Sequence, residues 1–387
     1  MQTKFIMTAE NAARVRFLGR TYTEDYKKYS DGEILPQVTF FDWTMSGFEI
    51  AFRGTGLSAT LVTDRYDRGP IRFYVYVDCD FAPQEGRMIE LKGDEAGEYT
   101  LCDGLPEGDH TVMLRRASCC SRGGFDDPRG LAGRSGLFAV TVTGDAPALL
   151  PRPADKKLKL EFIGDSITCG DAINQVGGQN VEDGTLTYAA YTAHRLSADI
   201  NVMSISGNGC ICCLFGTPLL DLPDQYLFTD NLAKTSPEAL KEWDFSRYQP
   251  DAVVVNLGTN DRGGVPRVFG YDEFKNGCDK AVNGGKIEHH TGVKDFLTMI
   301  HEKNPSAKIL WTCGAMGREL CRVIDEAVRE WNEKNGYLDA PVAFFAPLPE
   351  NWSYDYGKAY DDCHPSVLSS KIYSAILTEK ITHILNL

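Results

Sequence analysis

The sequence predicts a chain of two domains of different class: an all-β sandwich (jelly roll) over residues 1–147, and an α/β domain built on a parallel sheet over residues 157–387. Three observations lead there. The first third of the chain is a series of short alternating or aromatic-rich runs separated by Gly, Pro and Asp turns. Residues 146–153 contain three prolines and read as a linker. Beyond them strands and amphipathic helices alternate, an order that places helices on both faces of a parallel sheet.

In the first domain the clearest strands are Gly47-Phe48-Glu49-Ile50-Ala51-Phe52, Ile71-Arg72-Phe73-Tyr74-Val75-Tyr76-Val77, His110-Thr111-Val112-Met113-Leu114-Arg115 and Leu137-Phe138-Ala139-Val140-Thr141-Val142. Regular short strands of this kind form a sandwich or jelly roll. In the second domain Leu158-Lys159-Leu160-Glu161-Phe162-Ile163 alternates and reads as a strand. Asn201-Val202-Met203-Ser204-Ile205 is another, running into the glycine turn Ser206-Gly207-Asn208-Gly209. Asp251-Ala252-Val253-Val254-Val255-Asn256-Leu257 is apolar and β-branched, as a fully buried parallel strand must be. Residues 307–312 and 342–345 read as further strands, and 291–303, 318–334 and 365–385 as amphipathic helices, with Pro365 near a helix start. Residues 262–290, glycine-rich and weakly periodic, read as a long insertion beside the site.

Composition narrows the partners. With 387 residues, 43% of them hydrophobic, the chain can bury two cores. Its 40 basic and 54 acidic side chains leave a formal charge of −14, and no basic cluster exceeds Lys156-Lys157-Leu158-Lys159. Nucleic acid and acidic membrane surfaces are therefore poor partners, and a neutral substrate suits the charge better. The first ten residues lack an apolar core of signal-peptide length, so a cytoplasmic location is the expectation, and no run of about eighteen apolar residues suggests a membrane span. The twelve cysteines include the adjacent pairs Cys119-Cys120 and Cys212-Cys213 and are expected as reduced thiols. Cys210-Ile211-Cys212 has no second ligand pair for zinc, and His289-His290 has no acidic or cysteine ligands at metal spacing. No metal or other cofactor is expected.

Three strings concentrate the chemistry: Gly164-Asp165-Ser166-Ile167, Gly258-Thr259-Asn260-Asp261 and Asp361-Asp362-Cys363-His364. Taken singly each is weak. Ser166, however, falls just past the carboxyl end of a strand where a helix can begin, so its hydroxyl is exposed and unpaired backbone N–H groups point at it. Asn260 follows a second strand in the same way, and open α/β sheets place their sites at such ends. Gly207, without a side chain, can bring its N–H close to a ligand.

On these four residues, Ser166, Gly207, Asn260 and His364, the chain resembles the SGNH (GDSL-type) hydrolases over roughly residues 157–387. The resemblance implies a three-layer α/β/α SGNH-hydrolase fold and acyl transfer through a serine ester. The physical reading agrees: a serine needs His364 as general base, Asp361 can hold the imidazole in the required tautomer, and the Ser166 and Gly207 N–H groups with the Asn260 amide meet the oxyanion. With a β-sandwich in front, nearly the whole chain resembles the family-two carbohydrate esterases, which deacetylate plant polysaccharides and their oligosaccharides. Trp43 before Ser46-Gly47, Phe52-Arg53-Gly54-Thr55-Gly56-Leu57, and Asn304-Pro305-Ser306-Ala307-Lys308-Ile309-Leu310 followed by Gly314 add to it. The implied substrate is an acetylated xylo-, gluco- or manno-oligosaccharide. Such enzymes often carry an aromatic residue just before the catalytic histidine, where this chain has Cys363.

Each site residue has a plainer alternative. Ser166 can be a helix N-cap and Asn260 a turn cap; Asp261 reads as a structural partner rather than a catalyst. Asp361 is dispensable if a backbone carbonyl orients the histidine, as in some enzymes of the resembled group. Asp165 is a further substrate-binding candidate. Trp352, Tyr354 and Tyr356, just upstream of His364, offer stacking faces to a sugar ring or pack as an aromatic cluster. Two rival functions remain: a lipid esterase or thioesterase with a long acyl channel, and a carbohydrate-binding protein that has kept the scaffold without activity. Oligomeric state is not legible in the sequence.

Overall fold

Strand-forming residues dominate Met1–Lys156, which with Thr229 and Lys241 makes one of two structural units; Lys157–Phe228 and Glu242–Leu387 make the other. The structure, a computed structural model, describes residues 1–28, 30–63, 69–91, 95–119, 133–216, 221–229, 241–282 and 284–387.

The first unit holds two antiparallel sheets. One runs in the order Thr21–Lys27, Ile34–Phe41, Ser135–Thr143, Gly56–Thr63, Ala96–Cys102, with Gln2–Ile6 also paired to Ser135–Thr143. The other runs Ala148–Leu149, Gly47–Gly54, Gly108–Arg116, Ile71–Val77, Arg87–Leu91, with Val15–Leu18 also paired to Gly47–Gly54. Alternate residues of both sheets, among them Phe48, Ile50, Leu57, Leu61, Phe73, Leu114 and Val140, meet in one core, which makes a β-sandwich. The expected linker begins later than its prolines suggest, because Ala148 and Leu149 pair with Arg53 and Phe52 as a short edge strand. Trp43 is fully buried, and its indole N–H donates to the Thr229 carbonyl (2.8 Å).

The second unit is built on a five-stranded sheet, Asp199–Ser204, Lys159–Gly164, Ala252–Asn256, Lys308–Cys313, Ala343–Pro347, all parallel. Every residue of Ala252–Asn256 is buried, as helices on both faces require. Tyr188–Arg195 packs on Val367–Leu385, and Val293–Lys303 on Cys321–Lys334. The spatial order places the first strand of the sheet between the second and the third, so connections leave the first and third in opposite directions. The crevice beyond their carboxyl ends is the natural ligand position of such a sheet.

Residues 262–290 are more regular than expected. They hold the helix Tyr271–Asn276 and a hairpin pairing Cys278–Ala281 with Ile287–His290. Glu273 Oε2 accepts from Gly270 N–H (2.7 Å) at the start of that helix. Elements of six and four residues are too short to show a period in sequence. No disulfide joins the cysteines among the described residues; Cys120 lies outside them. No helix among the described residues is long and apolar enough to cross a membrane.

Candidate active site

The strand Lys159–Gly164 ends in Asp165 and the one-turn helix Ser166–Cys169. Only glycine fits at the junction, since a Cβ on Gly164 would lie 2.0 Å from Thr168 Oγ1, which is itself bonded to Tyr188 OH (2.7 Å). Asp165 caps the turn: its Oδ1 accepts the Ile167 N–H at 3.0 Å. Ser166 thus sits at a helix start directly over the end of a central strand.

Beside it, Asp199–Ser204 runs into Gly207, whose φ of +83° lies in the left-handed region that favours glycine. Ser206 Oγ donates to Asp171 Oδ2 (2.7 Å), and the Asp171 N–H donates to the Ser166 carbonyl (3.0 Å). These two bonds tie the Gly207 turn to the Ser166 helix. On the other side Asn260 follows Ala252–Asn256 and is buried. Its Nδ2 donates to the Asn208 carbonyl (2.7 Å) and to Asp165 Oδ2 (3.1 Å). Asp261 plays the structural part expected of it: Oδ1 accepts the N–H groups of Cys210 (2.9 Å), Ile211 (2.7 Å) and Cys212 (3.2 Å), pinning the loop after Gly207.

His364 closes a tight loop. Ala359 N–H donates to its carbonyl (2.6 Å), Asn351 Nδ2 to the Cys363 carbonyl (2.7 Å), and Tyr360 N–H to the Ala172 carbonyl (3.3 Å), which docks the loop on the segment after the Ser166 helix. Asp361 is the organiser. Its Oδ1 accepts the N–H groups of Cys363 (3.0 Å) and His364 (2.9 Å), and its Oδ2 faces His364 Nδ1 at 2.5 Å. A carboxylate only accepts, so Nδ1 carries the proton and Nε2 is left with its lone pair. Partial burial pushes Asp361 up, but the bonds from the His364 ring and from the His364 and Cys363 backbone outweigh it and hold the carboxyl below its usual range. Among the described residues no hydrogen bond joins Ser166 Oγ to His364 Nε2; contacts of this kind commonly tighten only when substrate is bound.

Two buried carboxyls lie under the site. Burial pushes Asp165 up to about 7, the Ile167 N–H and the nearby His364 acting against it and Asp261 adding to it. Burial likewise pushes Asp261 up to about 6, against the pull of its backbone N–H partners.

Ser166, Gly207, Asn260, Asp361 and His364 all lie on loops or helix starts at or beyond the carboxyl ends of the parallel strands. Asp165 must be corrected: it is fully buried with both oxygens engaged by protein groups, so it does not meet a substrate. Tyr354 turns inward, its hydroxyl donating to Ser369 Oγ (2.8 Å). Trp352 and Tyr356 are exposed on the loop before His364. His289 bridges Asp279 (2.9 Å) and Asp295 (3.2 Å), while His290 Nε2 bonds the Lys280 carbonyl (3.0 Å), and no group of three or more His, Cys, Asp and Glu among the described residues is arranged to hold a metal. Asn208, Ser206 and Asp171 had no signal in the sequence, because each acts through a partner at least 35 residues away in the chain.

Over 354 residues the chain is 29% identical to the cellulase/esterase CelE of Acetivibrio thermocellus, a match covering 88% of this chain and 37% of that protein. Over 190 residues it is 35% identical to an acetylxylan esterase/glucomannan deacetylase of Cellvibrio japonicus, covering 48% of this chain and 46% of that one. The chain thus spans less than half the length of these two relatives. Its fold matches the structure of a family-two carbohydrate esterase from Clostridium thermocellum in complex with cellohexaose, with a TM-score of 0.72 and 26% identity over 96% of this chain and 99% of that one. The pattern of the GDSL-like lipase/acylhydrolase family matches residues 162–371, a span that runs from the strand before Ser166 to the helix after His364. That span is more than half of the 387 residues, and the chain belongs to the GDSL-like lipase/acylhydrolase family.

Proposed function

We propose that the protein is a serine carbohydrate O-acetyl esterase acting on acetylated oligosaccharides through an acyl-enzyme. The observation that carries the mechanism is the short Asp361–His364 bond, which leaves Nε2 as the base. His364 Nε2 takes the Ser166 Oγ proton as Oγ attacks the ester carbonyl carbon. The negative oxygen that develops is met by the Ser166 and Gly207 N–H groups and by the Asn260 amide. Collapse expels the sugar hydroxyl, which receives the proton from His364. Water then attacks the acetyl–Ser166 ester by the same route, and acetate leaves. The carbohydrate class rests on the relatives, all three of which bear esterase names. Exposed Trp352 and Tyr356 near His364 suit a sugar face, and a net charge of −14 suits a neutral substrate.

Acetate release from acetylated xylo-, gluco- and manno-oligosaccharides tests the reading, with Ser166→Ala as control. The wild-type protein should release acetate, and Ser166→Ala should lose turnover while keeping its unfolding temperature. Faster hydrolysis of octanoyl than of acetyl aryl esters would move the protein to the lipid-esterase class. Sugar binding without any ester hydrolysis would make it a binding protein.

A further inference from the structure

Asp165 occupies a position that neither substrate contact nor helix capping explains in full. One carboxyl oxygen caps the nucleophile's helix through Ile167 N–H (3.0 Å), and a cap needs no more than that. The other oxygen reaches a different strand end, accepting from Asn260 Nδ2 (3.1 Å). The Asn260 amide has two N–H bonds, and both have acceptors: the Asn208 carbonyl (2.7 Å) and Asp165 Oδ2. The Asn208 carbonyl can only accept, so the amide nitrogen must face it, and the orientation of the side chain is decided by its surroundings. Asp165, Asn208 and Asn260 are all buried, so water does not compete for these bonds.

We propose that Asp165 is a positioning residue for the oxyanion donor, acting through Asn260 to hold the amide in register with Ser166. The inference rests on the reading of Asn260 as an oxyanion donor. Among the described residues Asp165 is the one side chain bonded both to the nucleophile's turn and to Asn260, so it fixes the spacing between nucleophile and donor. Asp165 and the Asn208 carbonyl together set the amide before reaction, so it need not reorient when the oxyanion forms beside it.

The test is a double-mutant cycle on the full chain, with steady-state kinetics on an acetyl ester and thermal unfolding of every variant. Asp165→Asn has a single acceptor oxygen for two donors. It keeps the cap to Ile167 and turns its own NH₂ against the Asn260 amide. Asp165→Ser keeps a capping oxygen and has nothing to reach Asn260, which guards against a folding failure of the first variant. Each is expected to lower kcat roughly 10- to 100-fold, as an ångström of misplacement can, with KM changed less than about twofold. In the Asn260→Ala background neither should lower kcat further. If Asn260→Ala is impaired but the Asp165 variants keep normal kcat, or their losses add to it in full, Asp165 is only a cap and the oxyanion reading stands. If Asn260→Ala alone is unimpaired, the oxyanion reading fails and this inference with it.

Discussion

Asn260 and Asp361 each have one atom on which the proposed chemistry turns. Replacing Asn260 by alanine removes one of the three proposed oxyanion donors, and kcat should fall by about 10²- to 10³-fold with little change in KM. A variant within a few-fold of the wild type would take Asn260 out of the mechanism. Asp361→Asn is sharper still. The carboxylate at 2.5 Å from Nδ1 fixes the tautomer, and an amide in its place can donate to Nδ1 and put the proton on Nε2. By analogy with the equivalent change in a serine-protease triad, kcat should fall about 10⁴-fold. A loss below about tenfold would show a working Ser–His pair, with Asp361 serving only the backbone N–H groups of Cys363 and His364.

Loops rather than helices or strands set the site, and two of them are held by a carboxylate that accepts backbone N–H groups, Asp261 after Gly207 and Asp361 before His364. The loop after Gly207 depends on Asp261, whose carboxylate receives three successive backbone N–H groups. Asp261→Ala would leave Cys210, Ile211 and Cys212 without that acceptor in a buried setting, at about 1–3 kcal/mol for each group left unpaired. The variant should unfold at a clearly lower temperature and lose activity together with it, because the loop positions Gly207 and Asn208. An unchanged melting temperature would mean that the loop finds other partners. The short helix Tyr271–Asn276 and the hairpin after it belong to the same scale. Cys210 Sγ, in the pinned loop, faces the carbonyl of Thr291 just beyond that hairpin (3.6 Å).

Buried acids give the molecule a pH-dependent stability whose sign follows from their direction of shift. Asp165 at about 7 and Asp261 at about 6 both lie above the ordinary 3.8, so the folded chain keeps protons that the unfolded chain releases between these values. Their contribution is therefore fully present at the acid end and lost as pH rises towards 7. His289, raised chiefly by its bond to Asp279, acts in the same sense, its contribution being present below 6.5 and lost as pH rises through its folded value. Asp361 and Glu330, the latter held down first by Lys294 and then by Lys275, act oppositely, stabilising above their ordinary values and losing that contribution as pH falls through their folded ones. The melting temperature should peak near about pH 5, decline towards pH 8 and fall again below about 4. Thermal unfolding from pH 3 to 9 checks this, and a steady rise from pH 5 to 8 would contradict it. In Asp165→Asn the decline between pH 5 and 8 should be shallower.

Local pattern determined much of this protein. Alternation marked the sandwich strands, apolar β-branched runs marked the central parallel strands, and the strings around Ser166 and Asn260 stood where strands end. Those properties belong to residues within a few positions of one another, so a linear reading captures them. The partners of Asn260 and Ser206 were decided only by tertiary structure, since Asp165 and Asn260 are 95 residues apart and Ser206 and Asp171 are 35 apart. So was the burial of Asp165, which looks like an accessible acid in a Gly-Asp-Ser string until both its oxygens are accounted for. Hydrogen-bond partners brought together by strand order carry no periodic signal, because the order 2-1-3-4-5 is set by how the sheet assembles rather than by any one segment.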